Sequence, residues 1–297
     1  MSRDTEKVFR ELHAFLEGKE FSNEEDANKA IQEFMDQYNN EQRPVDDFGE
    51  DAWGYLDRAY EAETVEEALK YAKRALKLDN DMVDAERLIA EITAKGFHHL
   101  LKKYEQMIKK TEKRLKEEGL FEEDCMGHFW GILETRPYMR LRYHHMEGLI
   151  SMGRYHEGIK NCEELLELCP GDNMGVRYRL ISLYAFLEDE MNAMRLFKRY
   201  NKEESLTMLL PISVLYYKLG DEKKAKNYLG KAAQQNPHVI KTIKKFYKNS
   251  GRTSFETRNE GSYALGSKEE VEIEMEDSQF LYISTPGFGE WALQAEI

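Results

Sequence analysis

Gly153 and Gly220 stand 67 residues apart, close to two periods of about 34 residues, and similar residues surround both. Tyr155, Gly158 and Pro170 follow the first glycine; Ala225, Ala232 and Pro237 follow the second. A degenerate unit with Tyr184, Ala193 and Phe197 lies between them. Apolar residues recur at offsets of three and four, and strand-like alternation is almost absent, so the chain reads as all-α. One such helix pair cannot bury its apolar face alone, and the array must stack. Small residues let neighbouring helices approach, and Tyr, Leu and Phe fill the remaining space. Hydrophobic residues are 41% and charged residues 33%, which excludes a largely disordered chain and fits an elongated helical one.

The spacing within these units resembles the tetratricopeptide (TPR) pattern, W-x2-L-G-x2-Y on a first helix, then small and aromatic residues on a second and Pro at the exit. Trp53, Leu56 and Tyr60 keep that spacing, with Asp57 at the usual glycine, and Ala68, Ala72 and Ala75 supply the small positions. The strings GHFWGILETRPYMRLR, CPGDNMGVRYRL, NPHV, GSYALGSKEEVE and TPGFGEW carry a narrower resemblance. It is to bacterial TPR proteins similar to the animal suppressor-of-tumorigenicity repeat proteins. That resemblance implies a helical superhelix and a protein-binding role rather than a defined reaction. The chain departs from it at YHHMEGLISM and at TPGFGEW, where a TPGALEW-like ending is usual.

The expected fold is a right-handed TPR-like superhelical solenoid of about five antiparallel helix pairs with N- and C-terminal helical caps. The N-terminal pair and linker take 1–47, the solenoid 48–250, and the C-terminal cap 251–297. Val8, Leu12, Phe15 and Leu16 share one face of a first helix. Ser22 and Glu25 read as a capping box before Ala30, Ile31, Phe34 and Met35, and 39–47 breaks the pattern as a linker. Residues 81–118 read as a helix pair continuing the stack, the second helix long, with Phe97, Leu100, Leu101, Tyr104, Met107, Ile108 and Leu115 as its apolar stripe. Phe129 and Trp130 are expected to be buried, and Thr135-Arg136-Pro137 to start a helix. Ser267 and Glu270 read as a second capping box, and Val271, Ile273, Met275, Phe280, Leu281, Ile283 and Trp291 are expected to dock on the last repeats.

Lys and Arg number 43 against 56 Asp and Glu, a net charge of −13, which argues against a dedicated nucleic-acid binder. Cys125, Cys162 and Cys169 form no CxxC pair and favour a reducing, cytoplasmic setting without structural zinc. No apolar run approaches the ~18 residues of a membrane span. His98–His99 and His144–His145 with Glu147 offer too few convergent ligands for a metal. Nucleotide-binding, hydrolase and metalloprotease motifs are absent, so no enzyme and no cofactor are expected.

Candidate site residues come from the first helices of successive repeats. Arg136, Arg140, Tyr143, His144 and Glu147 share one face by offsets of three and four. By analogy with the repeat family, Arg140, Tyr143 and Glu147 line a concave groove, followed by Tyr178 and Ser182, then Leu210, Val214 and Tyr217. Two readings stand: the groove binds a peptide or helix of a partner protein, or the chain's own C-terminal segment fills it. An alternative function is a regulatory module contacting nucleic acid or its machinery through the basic segment 241–252. The run 101–116 instead reads as a solvated face with Glu105–Lys109 and Glu112–Lys116 pairs.

Overall fold

The computed structural model describes residues 3–40, 49–249 and 263–295, all helix or connecting turn, with no strand among them. The expected boundaries at 47 and 250 lie outside these residues, as does the expected linker beyond Asn40, while Asn39 and Asn40 are helical. The chain forms two compact units, Met1–Lys95 with Gly131–Pro137, and Gly96–Trp130 with Tyr138–Ile297.

In the first unit, α1 (Arg3–Leu16) and α2 (Glu24–Asn40) form a hairpin in which Phe15 and Phe34 lie 5.5 Å apart. The cap of α2 falls one residue later than expected: Asn23, not Ser22, accepts the Asp26 amide at 2.9 Å. That register turns Ala30 and Phe34 inward and leaves Ile31 exposed. A pair follows, α3 (Ala52–Glu61) and α4 (Val65–Leu78), with Asp51 and Thr64 as N-caps. Ala72 and Ala75 are fully buried, and α5 (Val83–Thr93) packs on α4 over Leu56, Met82 and Ala85. Arg87 of α5, itself buried, donates to the Tyr60 hydroxyl at 2.7 Å and to Glu91 at 2.6 Å.

The expected pair at 81–118 is split. Gly96, at φ 143°, ends the first unit's run, and α6 (Phe97–Glu117) belongs to the second unit. Leu101, Tyr104, Met107 and Leu115 of α6 are buried, but Phe97 on its first turn is exposed. Phe129 and Trp130 are buried, Phe129 against Phe121 and Tyr138.

Three helix pairs then stack in the second unit: α7 (Arg136–Ser151, of which Arg136 and Pro137 count with the first unit) with α8 (Tyr155–Leu168), α9 (Val176–Phe186) with α10 (Glu190–Arg199), and α11 (Leu206–Lys218) with α12 (Glu222–Gln235). Each intra-pair turn needs one left-handed residue. Gly153 and Gly220 supply it at φ 73° and 76°, and Glu188 does so at φ 60° in the degenerate unit. Asp189 and Asp221 then cap α10 and α12 by accepting the Asn192 and Lys224 amides at 3.0 Å. The small positions Gly158, Ala193 and Ala225 are all buried. Beyond the pairs, α13 (Val239–Lys248) extends the stack, and α14 (Lys268–Asp277), α15 (Gln279–Ile283) and α16 (Pro286–Gln294) return over it. Ser267 caps α14 as expected, accepting the Glu270 amide at 3.2 Å.

Candidate functional site

The first helices of the pairs, α7, α9 and α11, carry the candidate site. An amphipathic helix of a stack exposes one face, yet α11 is buried continuously from Met208 to Tyr216, and α9 from Leu180 to Ala185. Neighbouring helices of the stack cover much of α9 and α11, and the returning segment adds to this: α14 and α15 pack on α11, α15 on α9, and α16 on α13. Val271, Met275, Leu281, Tyr282 and Phe288 are thereby fully buried, while Ile283 stays 53% exposed.

A guanidinium stands at the head of this seat. Arg179 of α9 holds Glu147 of α7 at 2.7 Å and the Asp277 carboxylate at 3.4 Å, and it also donates to the Asp277 carbonyl. Tyr143 lies against the same guanidinium; burial first, then Glu147, pushes its hydroxyl up to about 12. Burial works against the charged form of Arg179, but Glu147 and Asp277 outweigh it and raise its pKa. One turn along α9, the Ser182 hydroxyl meets that of Ser278 at 2.8 Å. Ser278 reaches the buried Glu274 carboxyl at 3.5 Å. Burial, then Asp277, drives that carboxyl well above the usual carboxylate range.

Aromatic contacts complete the seat. The ring of Phe280 lies 5.3 Å from Tyr155 and 5.5 Å from Phe186. Tyr217 contacts Phe288 at 5.6 Å and Trp291 at 5.2 Å. Tyr247 of α13 donates to the carbonyls of Tyr282 and Thr285, both at 3.0 Å. At the start of α14, Asn236 donates to the Ser267 carbonyl at 2.6 Å and to Glu270 at 2.9 Å.

Of the residues singled out in the sequence, Tyr143, Glu147, Ser182 and Tyr217 come together along this face, directly or through Arg179. Arg140 is half-buried on α7, and His144 is exposed beside Tyr143. Leu210 and Val214 are wholly buried on α11, so they offer no surface. Tyr178 turns to another cluster: its hydroxyl donates to Glu203 at 2.7 Å, and Arg177 stacks on its ring at 4.2 Å. Arg136 is no groove residue. It is buried in the first unit, 3.6 Å from the equally buried Glu6 and 5.9 Å from the Phe9 ring centroid, because α1 supplies its counter-charge. Arg179 is the central residue that sequence reasoning passed over. Its signal was the offsets of three and seven to Ser182 and Phe186, which put all three on one face.

No group of three or more metal-ligating side chains converges among the described residues. Buried His145 instead lies 3.4 Å from Asn161 and 3.9 Å from Glu105, and burial keeps its pKa below the ordinary imidazole value. Within the basic segment, Lys245 lies 3.4 Å from Glu272 of α14, and Lys241, Lys244 and Lys248 are exposed. No helix of the described residues is long and apolar enough to cross a membrane.

The tetratricopeptide repeat family matches the chain at residues 208–238, which are most of α11, all of α12 and the turn beyond. No curated protein matches it. Among solved structures it is similar to YrrB, described as a TPR protein with an unusual peptide-binding site, at 15% identity and a TM-score of 0.41 over 62% of this chain and 86% of that one. The family match is to the tetratricopeptide repeat and does not reach the narrower suppressor-of-tumorigenicity group.

Proposed function

We propose that this tetratricopeptide repeat protein is a non-enzymatic protein-binding scaffold, and that the face formed by α7, α9 and α11 takes a helix of a partner protein. One observation carries the reading: that face already receives helices of its own chain through a paired guanidinium, a hydroxyl contact and an aromatic slot. A surface of this mixed kind selects by charge and by apolar fit at once. Its polar groups are engaged in binding contacts.

Site-specific photocrosslinking in the native cell tests it. A photoreactive residue at exposed His144, at the margin of the face, should crosslink a discrete protein, whereas one at exposed Met191 on α10 should not. Crosslinks confined to position 191, or to nucleic acid from Lys241 and Lys244, would remove the function from this face. The nucleic-acid outcome would restore the basic segment as the contact.

A further inference from the structure

We propose, resting on that reading, that the segment 268–285 is a resident stand-in for the partner, which is itself an acidic amphipathic helix presenting a carboxylate, a hydroxyl and an aromatic side chain in the order of Asp277, Ser278 and Phe280. The partner binds by displacing the segment, so the free protein holds its own site closed.

Three features separate this segment from a permanent cap. First, these contacts fall on side chains from two helices: Arg179 and Ser182 of α9 read Asp277 and Ser278, and Tyr155 of α8 and Phe186 of α9 hold Phe280. Arg179 is in turn steadied by Glu147 of α7. Each contact is a group that an incoming helix could reproduce.

Second, α14 is a poor choice for a fixed core element. Its sequence, KEEVEIEMED, is dominated by carboxylates, and two of them, Glu272 and Glu274, are buried. Glu272 has Lys245 and Lys268 at 3.4 and 2.9 Å. Among the described residues Glu274 makes no ion pair; it sits beside Asp277 of like charge, and Arg179 with the hydroxyls of Ser278 and Tyr282 only partly offsets its burial. Burying such a group opposes docking, which leaves the docked state easier to reverse than an apolar helix of equal length would be.

Third, the acidic character matches the seat. Arg179 remains only 18% exposed between two carboxylates, one from the scaffold and one from the segment. Removing the segment would leave the guanidinium with Glu147 as its carboxylate partner and the place of Asp277 vacant, a site that favours a second carboxylate ligand.

The test uses the full-length protein and a fluorescent peptide of residues 268–285, read by anisotropy, with hydrogen exchange of α14 amides reporting release of the resident segment. Wild type should bind the peptide weakly. Phe280→Ala in the protein should expose α14 to exchange and tighten peptide binding by about tenfold or more, since each tenfold needs only ~1.4 kcal/mol. Adding Arg179→Ala should remove most of that gain. A peptide carrying Asp277→Lys should bind poorly to the Phe280→Ala protein and recover on one that also carries Arg179→Glu. Should Phe280→Ala compromise folding, Asp277→Lys in the protein opens the same contact from a half-exposed position. The proposal is overturned if α14 exchanges freely but no peptide binds, or if neither substitution changes exchange or binding. Peptide binding without any partner crosslinked at 144 would sink the proposed function and leave of this proposal only a reversibly docked segment; a crosslinked partner without peptide binding would sink only the stand-in.

Discussion

Two glycines of α16 offer a direct measure of how tightly the returned segment is seated. A Cβ on Gly289 would stand 2.4, 2.5 and 2.9 Å from Cδ2, Cγ and Cε2 of Tyr247, so it would press into the face of the ring. Ordinary carbon contacts lie at about 3.5–4.0 Å, so ring and helix must part by about 1 Å. The ring cannot simply rotate, because its hydroxyl is tied to the carbonyls of Tyr282 and Thr285. Overpacking costs about 1–3 kcal/mol, and stretching those two bonds adds roughly 1 kcal/mol. Alanine's helix propensity returns about 1 kcal/mol, leaving Gly289→Ala destabilising by about 2 kcal/mol. At about 2–4 °C per kcal/mol for a unit of this size, the melting temperature should fall by about 4–8 °C. Gly287→Ala is the internal control. It gains the same propensity, and its Cβ meets only Tyr217, the hydroxyl at 2.6 Å and Cζ at 3.7 Å, the far end of a side chain that can give way. Thermal melts of the two variants, with hydrogen exchange of α14 and α16 amides, decide the matter. If Gly289→Ala melts at or above Gly287→Ala, the seat is not packed as described.

Other expectations follow from the same geometry. Arg136→Ala leaves Glu6 buried without this cation, and breaking such a pair costs about 3–5 kcal/mol, so it should lower the melting temperature sharply; an unchanged melt would reject the buried-pair assignment. Glu274, with its pKa raised in the docked state, carries more protons docked than released, so docking is strongest below the ordinary carboxylate range and weakens as pH rises from there through the raised value. Asp277 pushes its titration up, whereas Arg179 of α9 and the hydroxyls of Ser278 and Tyr282 pull it down. Glu274→Gln, neutral at every pH, should therefore protect α14 from exchange better than wild type at pH 8 but not at pH 5, and a pH-independent difference would refute this. Among the thiols, Cys125 is partly exposed, whereas Cys162 and Cys169 are buried and burial drives the Cys162 thiol upward. A native-state thiol titration should show Cys125 reacting far faster than the other two, and rapid labelling of Cys162 would contradict its packing.

The repeat was legible in the sequence because its punctuation is local. Gly153, Gly220, Ala225 and Pro237 each meet a steric demand that few residue types satisfy, and each announces a turn, a close approach or an exit. Glu188 meets the same backbone demand without announcing it, which is why the middle unit looked degenerate. The departure at TPGFGEW also has a packing reason, since Gly289 makes room for Tyr247 and Phe288 fills the space beside Tyr217. The candidate site was less legible. Helical offsets put Arg136, Arg140 and Glu147 on one stripe, but a stripe does not say what packs against it. Arg136 is claimed by Glu6, and Arg179 by Asp277, 98 positions further on. Local periodicity does not encode pairings of that range, and the mixed apolar and acidic α14 gave no clean helical stripe to betray them.

The pairing of Glu6 with Arg136 bears on how the protein is made. The first unit is closed by Gly131–Pro137, yet the residues from Gly96 to Trp130 that precede this stretch belong to the second. On the ribosome, therefore, the N-terminal helices emerge long before the arginine that neutralises the carboxylate buried among them. Until then Glu6 lacks this one of its partners. Completion of the first unit becomes an event within the synthesis of the second, and a fragment ending at Lys95 inherits an unfinished interior.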